Sequence, residues 1–231
     1  MDILRGNPTA YSEIEYVTTG IEQAAVTVNK SVAYRVVKRI FDVVVSIIAF
    51  ILLSPVFLIT AIAIKLEDDG RVIFTQKRTG LNGEIFEMYK FRSMCKDAPS
   101  MHQDLLKFNE LDGPAFKMKD DPRVTKVGRF IRRTSIDELP QLINIIKGEM
   151  SIVGPRPLPV YEQDQCNSYQ DQRLSVKPGL TCYWQVNGRS EIPFDEWIEM
   201  DLKYIREASV WTDLCIIAKT FGAVISGRGA E

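Results

Sequence analysis

The chain has 231 residues, 45% of them hydrophobic, which is enough for one good-sized domain with appendages. Its 29 basic and 30 acidic residues give a net charge of -1, which argues against a nucleic-acid-binding surface. The charge is uneven, because residues 30–147 have 20 basic and 14 acidic side chains, a balance that suits anionic lipid headgroups or a polyanionic substrate. The four scattered cysteines form no C-x-x-C pair, so free thiols are favoured over a metal site.

The N-terminal part combines a polar tail with the most apolar segment of the chain. Residues 1–30 are polar and acidic, which predicts a flexible tail and excludes a secretory signal. Val43–Ile64 is almost continuously apolar, and a straight helix of these 22 residues would reach roughly 33 Å, enough to cross the hydrocarbon core of a bilayer. Ser54 and Pro55 interrupt this segment near its centre.

Both flanks of the apolar segment are basic, with Lys38 and Arg39 before it and Lys65 and Arg71 after it. A spanning helix normally has more positive charge on one side, so charge gives neither end a reason to be translocated. We therefore predict a helix that is broken at Ser54–Pro55 and enters and leaves the same leaflet. Proline kinks also occur in spanning helices, so the residues alone leave a crossing segment open.

The middle of the chain predicts a hairpin followed by helices. "RVIFTQKR" and "EIFEMYKFRSM" are short extended runs, and the turn residues Gly80 and Asn82-Gly83 between them predict a β-hairpin. Residues 95–121 are polar and predict a helix and a loop. Two helices follow in "DPRVTKVGRFIRRTS" and "DELPQLINIIKG", with apolar stripes at Val124, Val127, Phe130 and Ile131, and at Leu139, Leu142, Ile143 and Ile146.

The C-terminal third begins with "SIVGPRPLP", whose three prolines and glycine argue against regular structure. A polar helix near 161–175, a short extended piece "TCYWQV" and two helices from about Phe194 and Trp211 are expected after it. In the last helix, an apolar stripe is expected to pack on the core, although a membrane surface or a second subunit would also fit it; its members are Trp211, Leu214, Cys215 and Ala218.

The chain lacks several common enzyme motifs, namely the G-x-x-x-x-G-K-[ST] phosphate loop, the G-x-G-x-x-G dinucleotide turn and a D-x-D pair. What remains is "RRTSIDELPQL", where Pro140 in the first helical turn places Asp137 and Glu138 at the start of a helix. In one interpretation, Ser135 or Asp137 caps the helix and Ser135-x-x-Glu138 matches a capping box, and this stretch alone favours that structural role.

In the other interpretation, the two carboxylates hold a divalent cation and a phosphate beside Arg132. The field of the helix end and the nearby arginines would lower a carboxylate's pKa. An ionised aspartate is a competent nucleophile toward phosphorus once a metal neutralises the phosphate oxygens. The dyad is therefore able to carry out phosphoryl transfer.

Three cations outside the dyad suit phosphate binding. Arg156 lies between two prolines, and a planar guanidinium on a stiff loop suits bidentate phosphate recognition. Lys90 and Arg92 alternate with aromatic residues, which places both on one face of a strand. Each of these, taken alone, fits an ordinary surface residue equally well.

Taken in order, these segments resemble the bacterial sugar transferase family, the monotopic polyprenyl-phosphate phosphoglycosyl transferases. The resemblance runs from about Arg35 to Gly222. Its motifs are "KRIFD" before the apolar segment, "QKRTGLNGEIFEMYKFRSM", "DPRVTKVGRFIRRTSIDELPQLINIIKGEMSIVGPRP", "KPGLTCYWQVNGR" and "DLKYIREASVWTDLCIIAKT".

The resemblance implies transfer of a sugar-1-phosphate from a UDP-sugar to undecaprenyl phosphate, with release of UMP, as the initiating step of exopolysaccharide, capsule, O-antigen or glycoprotein glycan assembly. It implies Asp137 as the nucleophile that forms a covalent phosphosugar, with Mg²⁺ present and held by Asp137 and Glu138. Glu138 would act through the metal or as a local base. The phosphate-binding cations it implies, in order of preference, are Arg156, Arg132, Lys90, Arg92 and Arg189.

A departure from the family pattern concerns "CYW", where many relatives have a small residue before the tryptophan. It leaves the assignment of Gln185 and Asn187 to a nucleotide or sugar pocket open. The expected fold class is α+β, a mainly helical catalytic domain with a small β-hairpin or sheet, anchored by the re-entrant helix and by amphipathic surface helices. The expected divisions are a tail over 1–30, the re-entrant membrane helix over 31–66 and a catalytic domain over 67–231, that is, a short form with the catalytic unit alone.

The resemblance places the protein at the bacterial inner (cytoplasmic) membrane with its catalytic domain on the cytoplasmic face. Expected partners are the UDP-sugar, polyprenyl phosphate, membrane lipids and downstream glycosyltransferases, with a homo-oligomer left open and no nucleic acid. Two alternatives remain: a membrane-anchored phosphohydrolase that uses water as acceptor, and a non-catalytic membrane-bound interaction protein.

Overall fold

The computed structural model describes residues 26–28, 31–110, 118, 120–188 and 192–226. Its elements in chain order are helices α1 (Val32–Leu52) and α2 (Ser54–Glu67), strands β1 (Ile73–Thr79) and β2 (Ile85–Phe91), helices α3 (Ala98–Leu105), α4 (Lys126–Arg133) and α5 (Gln141–Lys147), strand β3 (Ser151–Val153), helix α6 (Val160–Gln163), strand β4 (Gly179–Thr181), and helices α7 (Tyr183–Asn187), α8 (Phe194–Glu207) and α9 (Val210–Ser226). Single 3-10 turns lie at Leu81–Gly83, Leu106–Phe108, Ile136–Glu138 and Gln170–Ser175. The fold class is α+β and mainly helical, as predicted.

The apolar segment forms two helices that meet at Leu53 and are bent by 60° relative to each other. Pro55 lies in the first turn of α2, where it has no N–H to donate and its ring would clash with the carbonyl four residues earlier in a continuous helix. The predicted break at Ser54–Pro55 is therefore confirmed. Among the described helices, none alone has the length and hydropathy to cross a bilayer, and α1 and α2 reach that threshold only as a bent pair.

The first half of α1 is docked on the rest of the protein through the two cations that the sequence places at a membrane flank. Lys38 Nζ donates to Asp213 Oδ2 at 2.8 Å and to the carbonyl of Val153 at 3.0 Å. Arg39 donates to the carbonyl of Ile145 at 2.6 Å, in the last turn of α5. Both positive charges are therefore directed into the protein. Their contacts join the predicted membrane helix, 31–66, to the predicted catalytic domain, 67–231. The division of the chain into these domains stays a prediction.

The predicted hairpin is confirmed. Strands β1 and β2 pair antiparallel, with Ile73 opposite Phe91 and Thr79 opposite Ile85. Asn82 has a φ of 55° and Gly83 a φ of 83°, left-handed conformations that these two residue types tolerate best. The turn thus reverses the chain and brings Lys90, near the end of β2, back toward the protein body.

A second small sheet was not predicted. Strands β3 and β4 pair in parallel, with Ser151 opposite Gly179. A Cβ on Gly179 would lie 2.1 Å from the backbone nitrogen of Gly154, so only glycines allow this close approach. The expectation of no regular structure in "SIVGPRPLP" is wrong for Ser151–Val153 and holds from Gly154 onward. The expected extended piece "TCYWQV" is strand only at its start and becomes helix α7 from Tyr183.

The two predicted C-terminal helices are confirmed. The prediction that the apolar stripe of α9 packs on the core is wrong. Trp211 is 74% exposed and Leu214 is 42% exposed, whereas Asp213 and Ile216 are buried. The helix turns Asp213 inward because its carboxylate accepts hydrogen bonds from three side chains, those of Tyr34, Lys38 and Tyr204. The polar helix expected at 161–175 is present as two separate pieces, α6 and the 3-10 turn Gln170–Ser175.

The apolar stripes of α4 and α5 are correct only in part. Ile131 and Leu142 are buried as predicted, but Phe130 is 61% exposed and Ile143 lies at the surface. The buried face of α5 consists of Gln141, Leu142, Asn144 and Ile145. Asn144 belongs there because its side chain bonds to the neighbouring strand, and a hydrophobicity pattern cannot show this.

Asn144 is the side chain that fixes α5 on strand β2. It is fully buried, its Oδ1 accepts from the Tyr89 backbone N–H at 3.0 Å, and its Nδ2 donates to the Glu87 carbonyl at 2.7 Å. Nδ2 also donates to Glu149 Oε2 at 2.7 Å. The position of Lys90 relative to the start of α5 therefore depends on this amide.

Replacing Asn144 by alanine is expected to lower the free energy of unfolding by about 2–4 kcal/mol, because several buried groups lose their partners at once. The measurement is urea unfolding followed by circular dichroism. Asn167→Ala is the matched control: the Asn167 side chain makes two hydrogen bonds with the backbone as well, accepting two N–H groups at 3.0 Å, but it is exposed. A loss no larger than that of the control would show that Asn144 does not hold α5 on β2.

Candidate active site

The dyad lies in a 3-10 turn between α4 and α5. Ser135 adopts a left-handed conformation with a φ of 57°, which turns the chain sharply after α4, and the turn Ile136–Glu138 follows. Pro140 then precedes the first residue of α5. The Ser135 side chain makes no capping hydrogen bond, so the capping-box interpretation is wrong. Its left-handed backbone is uncommon outside glycine and typical of functional sites.

Glu138 accepts hydrogen bonds from two cations that come from distant parts of the chain. Lys90 Nζ, from strand β2, donates to Glu138 Oε1 at 2.8 Å. Arg156 donates to Glu138 Oε1 at 2.5 Å and to Oε2 at 3.5 Å. All three side chains are mostly buried, so little water screens the charges. The structure thus unites three of the predicted site residues in one ion-pair cluster.

Asp137 lies next to this cluster and is 8% exposed. Its carboxylate accepts no hydrogen bond from the residues that the structure describes, so its lone pairs are available to a ligand. Burial raises the pKa of Asp137 to about 6, and the neighbouring Glu138 charge adds to the rise, while Lys90 and Arg132 oppose it. The expectation of a lowered pKa is therefore wrong for Asp137, because burial outweighs the nearby cations.

Glu138 behaves in the opposite way. Burial would raise its pKa, but the charges of Arg156 and Lys90 and their hydrogen bonds hold the pKa of Glu138 well below its usual range. Burial lowers the pKa of Lys90, and the Glu138 charge offsets part of that effect. Burial would also lower the pKa of Arg156, but Glu138 more than compensates and raises it above its usual value. Their surroundings thus shift the pKa values of the two adjacent carboxyl groups in opposite directions, upward for Asp137 and downward for Glu138.

The remaining predicted site residues are Arg132, Arg92, Gln185, Asn187 and Arg189. Arg132 acts on Asp137 through its charge. Arg92 does not reach the dyad, because it pairs with Asp68 at 3.1 Å and donates to the Asp68 carbonyl, also at 3.1 Å. Gln185 accepts from Cys182 Sγ at 3.1 Å, and Asn187 ends α7. Arg189 lies outside the described residues.

Sequence reasoning missed the side chains behind Arg156. Arg78 donates to the Pro157 carbonyl at 2.9 Å, and Arg173 donates to the Arg156 carbonyl. Arg173 is paired with Asp201 at 2.7 Å, and both are buried. No local pattern identifies these residues, because each contact joins segments far apart in sequence.

The dyad fits one Mg²⁺ of the kind that takes most of its ligands from substrate phosphates. The carboxylate of Asp137 is available, and Glu138 Oε2 keeps room beside its single long contact to Arg156 at 3.5 Å. The described residues contain no group of three or more histidine, cysteine or acidic side chains that could hold a metal alone. Asp137 and Glu138 would therefore hold the ion only together with a phosphate.

A buried carboxylate beside a glutamate bound by two cations is an arrangement that would suit phosphate chemistry. The family model described as bacterial sugar transferase matches residues 33–227 of the chain. The chain therefore belongs to the bacterial sugar transferase family, as the sequence motifs predicted.

Relatives with assigned names support this membership. The chain is 47% identical over 202 residues to galactosyl transferase CpsE of Streptococcus agalactiae, covering 86% of this chain and 44% of the relative. It is 40% identical over 200 residues to the undecaprenyl-phosphate galactose phosphotransferase of Salmonella typhimurium, covering 85% and 42%. The exopolysaccharide production protein ExoY of Sinorhizobium fredii is 41% identical over 197 residues, covering 84% and 87%. The chain thus spans less than half the length of the first two relatives.

Replacing Lys90 by methionine is expected to raise the pKa of Asp137 further above 6, by about 1 pH unit, because a buried opposing charge is removed. The titration can be followed by the carboxyl ¹³C signal of Asp137, without any substrate. Lys147→Met is the control, since Lys147 is exposed and donates to the Tyr89 hydroxyl at 2.6 Å. An Asp137 signal that titrates at the ordinary value in the unsubstituted protein would contradict the burial argument.

Proposed function

We propose that the protein transfers a sugar-1-phosphate from a UDP-sugar to a polyprenyl phosphate and releases UMP. The observation that carries the proposal is the contrast within the dyad. Asp137 is buried without a hydrogen-bonding partner among the described residues, while Glu138 holds Lys90 and Arg156 beside it. A nucleophile and two phosphate-binding cations are thereby brought together at one turn.

In the first step, an Asp137 carboxylate oxygen attacks the phosphorus that bears the sugar. The bond from that phosphorus to the oxygen bridging the two phosphates breaks, and its electron pair leaves with UMP. A pKa near 6 keeps most of Asp137 ionised at neutral pH, yet its burial leaves the carboxylate poorly solvated. A poorly solvated anion is a better nucleophile than one surrounded by water.

In the second step, an oxygen of polyprenyl phosphate attacks the same phosphorus, and the bond to Asp137 breaks with its electron pair returning to the carboxylate. Arg156 and Lys90 bind the phosphoryl oxygens, where charge builds up in both transition states. Asp137 and Glu138 would hold Mg²⁺ together with the phosphate, and the ion would further neutralise the phosphate charge. Arg132 adds positive potential at Asp137.

We further propose that the α1–α2 pair lies within one leaflet at the cytoplasmic face of the bacterial inner membrane. Its polar side chains Ser46 and Thr60 are buried, while many apolar side chains are exposed, among them Ile47, Ile48, Ile51, Leu52, Leu58, Ile59, Ile62 and Leu66. An exposed apolar surface of this extent is typical of a membrane or protein contact. A lipid phosphate and a soluble nucleotide sugar would then meet at the membrane surface.

Two other functions make different predictions. A membrane phosphohydrolase would use the same aspartyl chemistry but would release UMP without a lipid acceptor. A non-catalytic interaction protein would not need Asp137 at all. The relatives named as undecaprenyl-phosphate phosphotransferases favour transfer. Their names include both galactose and glucose, so the donor sugar stays open.

Asp137→Asn is expected to lower acceptor-dependent UMP release by about 10³-fold or more, because the nucleophile is lost. The assay incubates purified protein, Mg²⁺ and a panel of UDP-sugars, beginning with UDP-galactose and UDP-glucose, with and without polyprenyl phosphate. Mass spectrometry of the unsubstituted protein without acceptor should show a phosphosugar adduct on the peptide that contains Asp137.

The control for this substitution is Asp164→Asn, an exposed aspartate outside the site, which should keep the normal rate. Full activity of Asp137→Asn would refute the covalent mechanism. Release of UMP that does not depend on the acceptor would identify a hydrolase instead.

A re-entrant pair places both of its ends on the same side of the membrane. In a cysteine-free background, single cysteines introduced at Val32 and Lys77 should both react with a membrane-impermeant maleimide in inside-out vesicles and not in right-side-out vesicles. A cysteine at Lys219, which is exposed on α9, reports the side of the catalytic part. Labelling of Val32 and Lys77 from opposite sides would establish a spanning helix.

A further inference from the structure

The loop that holds Arg156 has an unusual hydrogen-bonding pattern. Its four successive carbonyls, from Pro155 to Leu158, each accept a hydrogen bond, two from the end of β1 and two from residues between 173 and 179. The first accepts from the Gly179 N–H at 2.9 Å, and the last accepts from the Thr79 N–H at 3.1 Å. The two carbonyls between them are bound by arginine side chains.

The carbonyl of Arg156 is the one bound by Arg173. Arg173 is 4% exposed, and Asp201, which is 1% exposed, orients it by accepting from Nε at 3.1 Å and from a terminal nitrogen at 2.7 Å. The same terminal nitrogen of Arg173 donates to the Arg156 carbonyl. Because a planar guanidinium is held at two points, its third contact has a fixed direction.

The next carbonyl, that of Pro157, is bound by Arg78 from strand β1 at 2.9 Å. Arg78 is oriented in turn by Gln76, whose side-chain oxygen accepts at 2.7 Å. Proline on both sides of Arg156 already restricts its backbone torsions. Together with the two guanidinium contacts, this leaves the side-chain torsions as the remaining freedom of Arg156.

Such a loop suits an arginine that must change partners. Arg156 donates to Glu138, and a phosphate group that binds Arg156 must compete with that carboxylate. A fixed backbone keeps the guanidinium within reach of both partners and reduces the ordering entropy that phosphate binding requires. If the loop were mobile, Arg156 could move with one of these partners and lose contact with the other.

We propose that Arg173 is a positioning residue which, through its contact with the Arg156 carbonyl, directs the Arg156 side chain toward the diphosphate of the donor, with Arg78 supporting the neighbouring peptide. The proposal rests on the function proposed above. Arg173 does not itself touch the reacting atoms. Its effect on substrate should therefore disappear when Arg156 is absent.

The test is a double-mutant cycle with UDP as the ligand, measured by calorimetry on the full chain in detergent. Arg173→Lys keeps a positive charge beside Asp201 but loses the planar guanidinium that binds Asp201 and the Arg156 carbonyl together. It should weaken UDP binding about 10-fold, and Arg156→Gln should have an effect of the same size. The double variant should bind UDP no more weakly than Arg156→Gln alone, since contacting residues are not additive. If the double variant instead binds UDP more weakly by the product of the two single-variant factors, the proposal is overturned.

Amide hydrogen exchange gives a second readout that needs no ligand. The N–H groups of Gly179 and Thr79, which donate to the loop, should exchange at least about 10-fold faster in Arg173→Lys, while the Tyr89 N–H in the core keeps its rate. Unchanged exchange at Gly179 and Thr79 would overturn the proposal. If the unsubstituted protein fails to bind UDP, the proposed function loses its donor site, and exchange alone decides the role of Arg173.

Arg92→Lys is the matched control. Arg92 also pairs with an aspartate and donates to a backbone carbonyl, but it does so at Asp68, away from the loop. Its effect on UDP binding should simply add to that of Arg156→Gln, and exchange at Gly179 should stay unchanged. If Arg173→Lys does not fold, Arg78→Lys, which loses the contact with the Pro157 carbonyl, is subjected to the same cycle and the same criteria.

Discussion

The site depends on one shared carboxylate. Glu138 accepts from Lys90 at 2.8 Å and from Arg156 at 2.5 Å, and it thereby joins the hairpin, the turn before α5 and the proline-rich loop. Without this anion, two partly buried cations would face each other across a space of low dielectric, which is strongly unfavourable. With it, the two cations are held side by side, and in the function we propose a phosphate replaces the carboxylate as their partner.

The same interaction explains why two neighbouring carboxylates of similar chemistry differ in acidity. Glu138 is stabilised as an anion by direct hydrogen bonds, whereas Asp137 has burial without such bonds and a pKa near 6. Pairs of titratable groups that are driven apart in this way are typical of sites where one group reacts and the other orients. The contrast follows from position alone, because the turn Ile136–Glu138 directs adjacent side chains to different surroundings.

Local rules made much of the fold predictable from the sequence. Pro55 broke the apolar helix and Asn82-Gly83 closed the hairpin, because each depends on backbone restrictions of the residues themselves. The family motifs singled out Asp137, Glu138 and Arg156, but they did not show how these residues are arranged. The sequence matched a capping box at Ser135 and Glu138, and only the structure shows that the Ser135 side chain makes no capping hydrogen bond.

What escaped prediction depends on contacts between distant segments. Arg173 lies 17 residues from the carbonyl it binds, and Lys90 lies 48 residues from Glu138. The wrong face was assigned to α9 because Asp213, a charged residue, is turned inward by partners on α1 and α8. Hydrophobicity alone cannot anticipate a buried charge whose partners are placed by the rest of the fold.

The docking of α1 has a mechanical consequence. The Ile152 N–H of β3 donates to Asp42 Oδ1 at 3.1 Å, and the Val153 carbonyl accepts from Lys38 at 3.0 Å, so α1 holds the strand that runs directly into the loop of Arg156. If the bent pair lies in lipid as we propose, a change in the tilt of α1 moves β3 and, with it, the loop of Arg156. A thicker or thinner leaflet would then change the height of the phosphate site above the lipid headgroups. Bilayer composition would thus become a variable of the reaction itself.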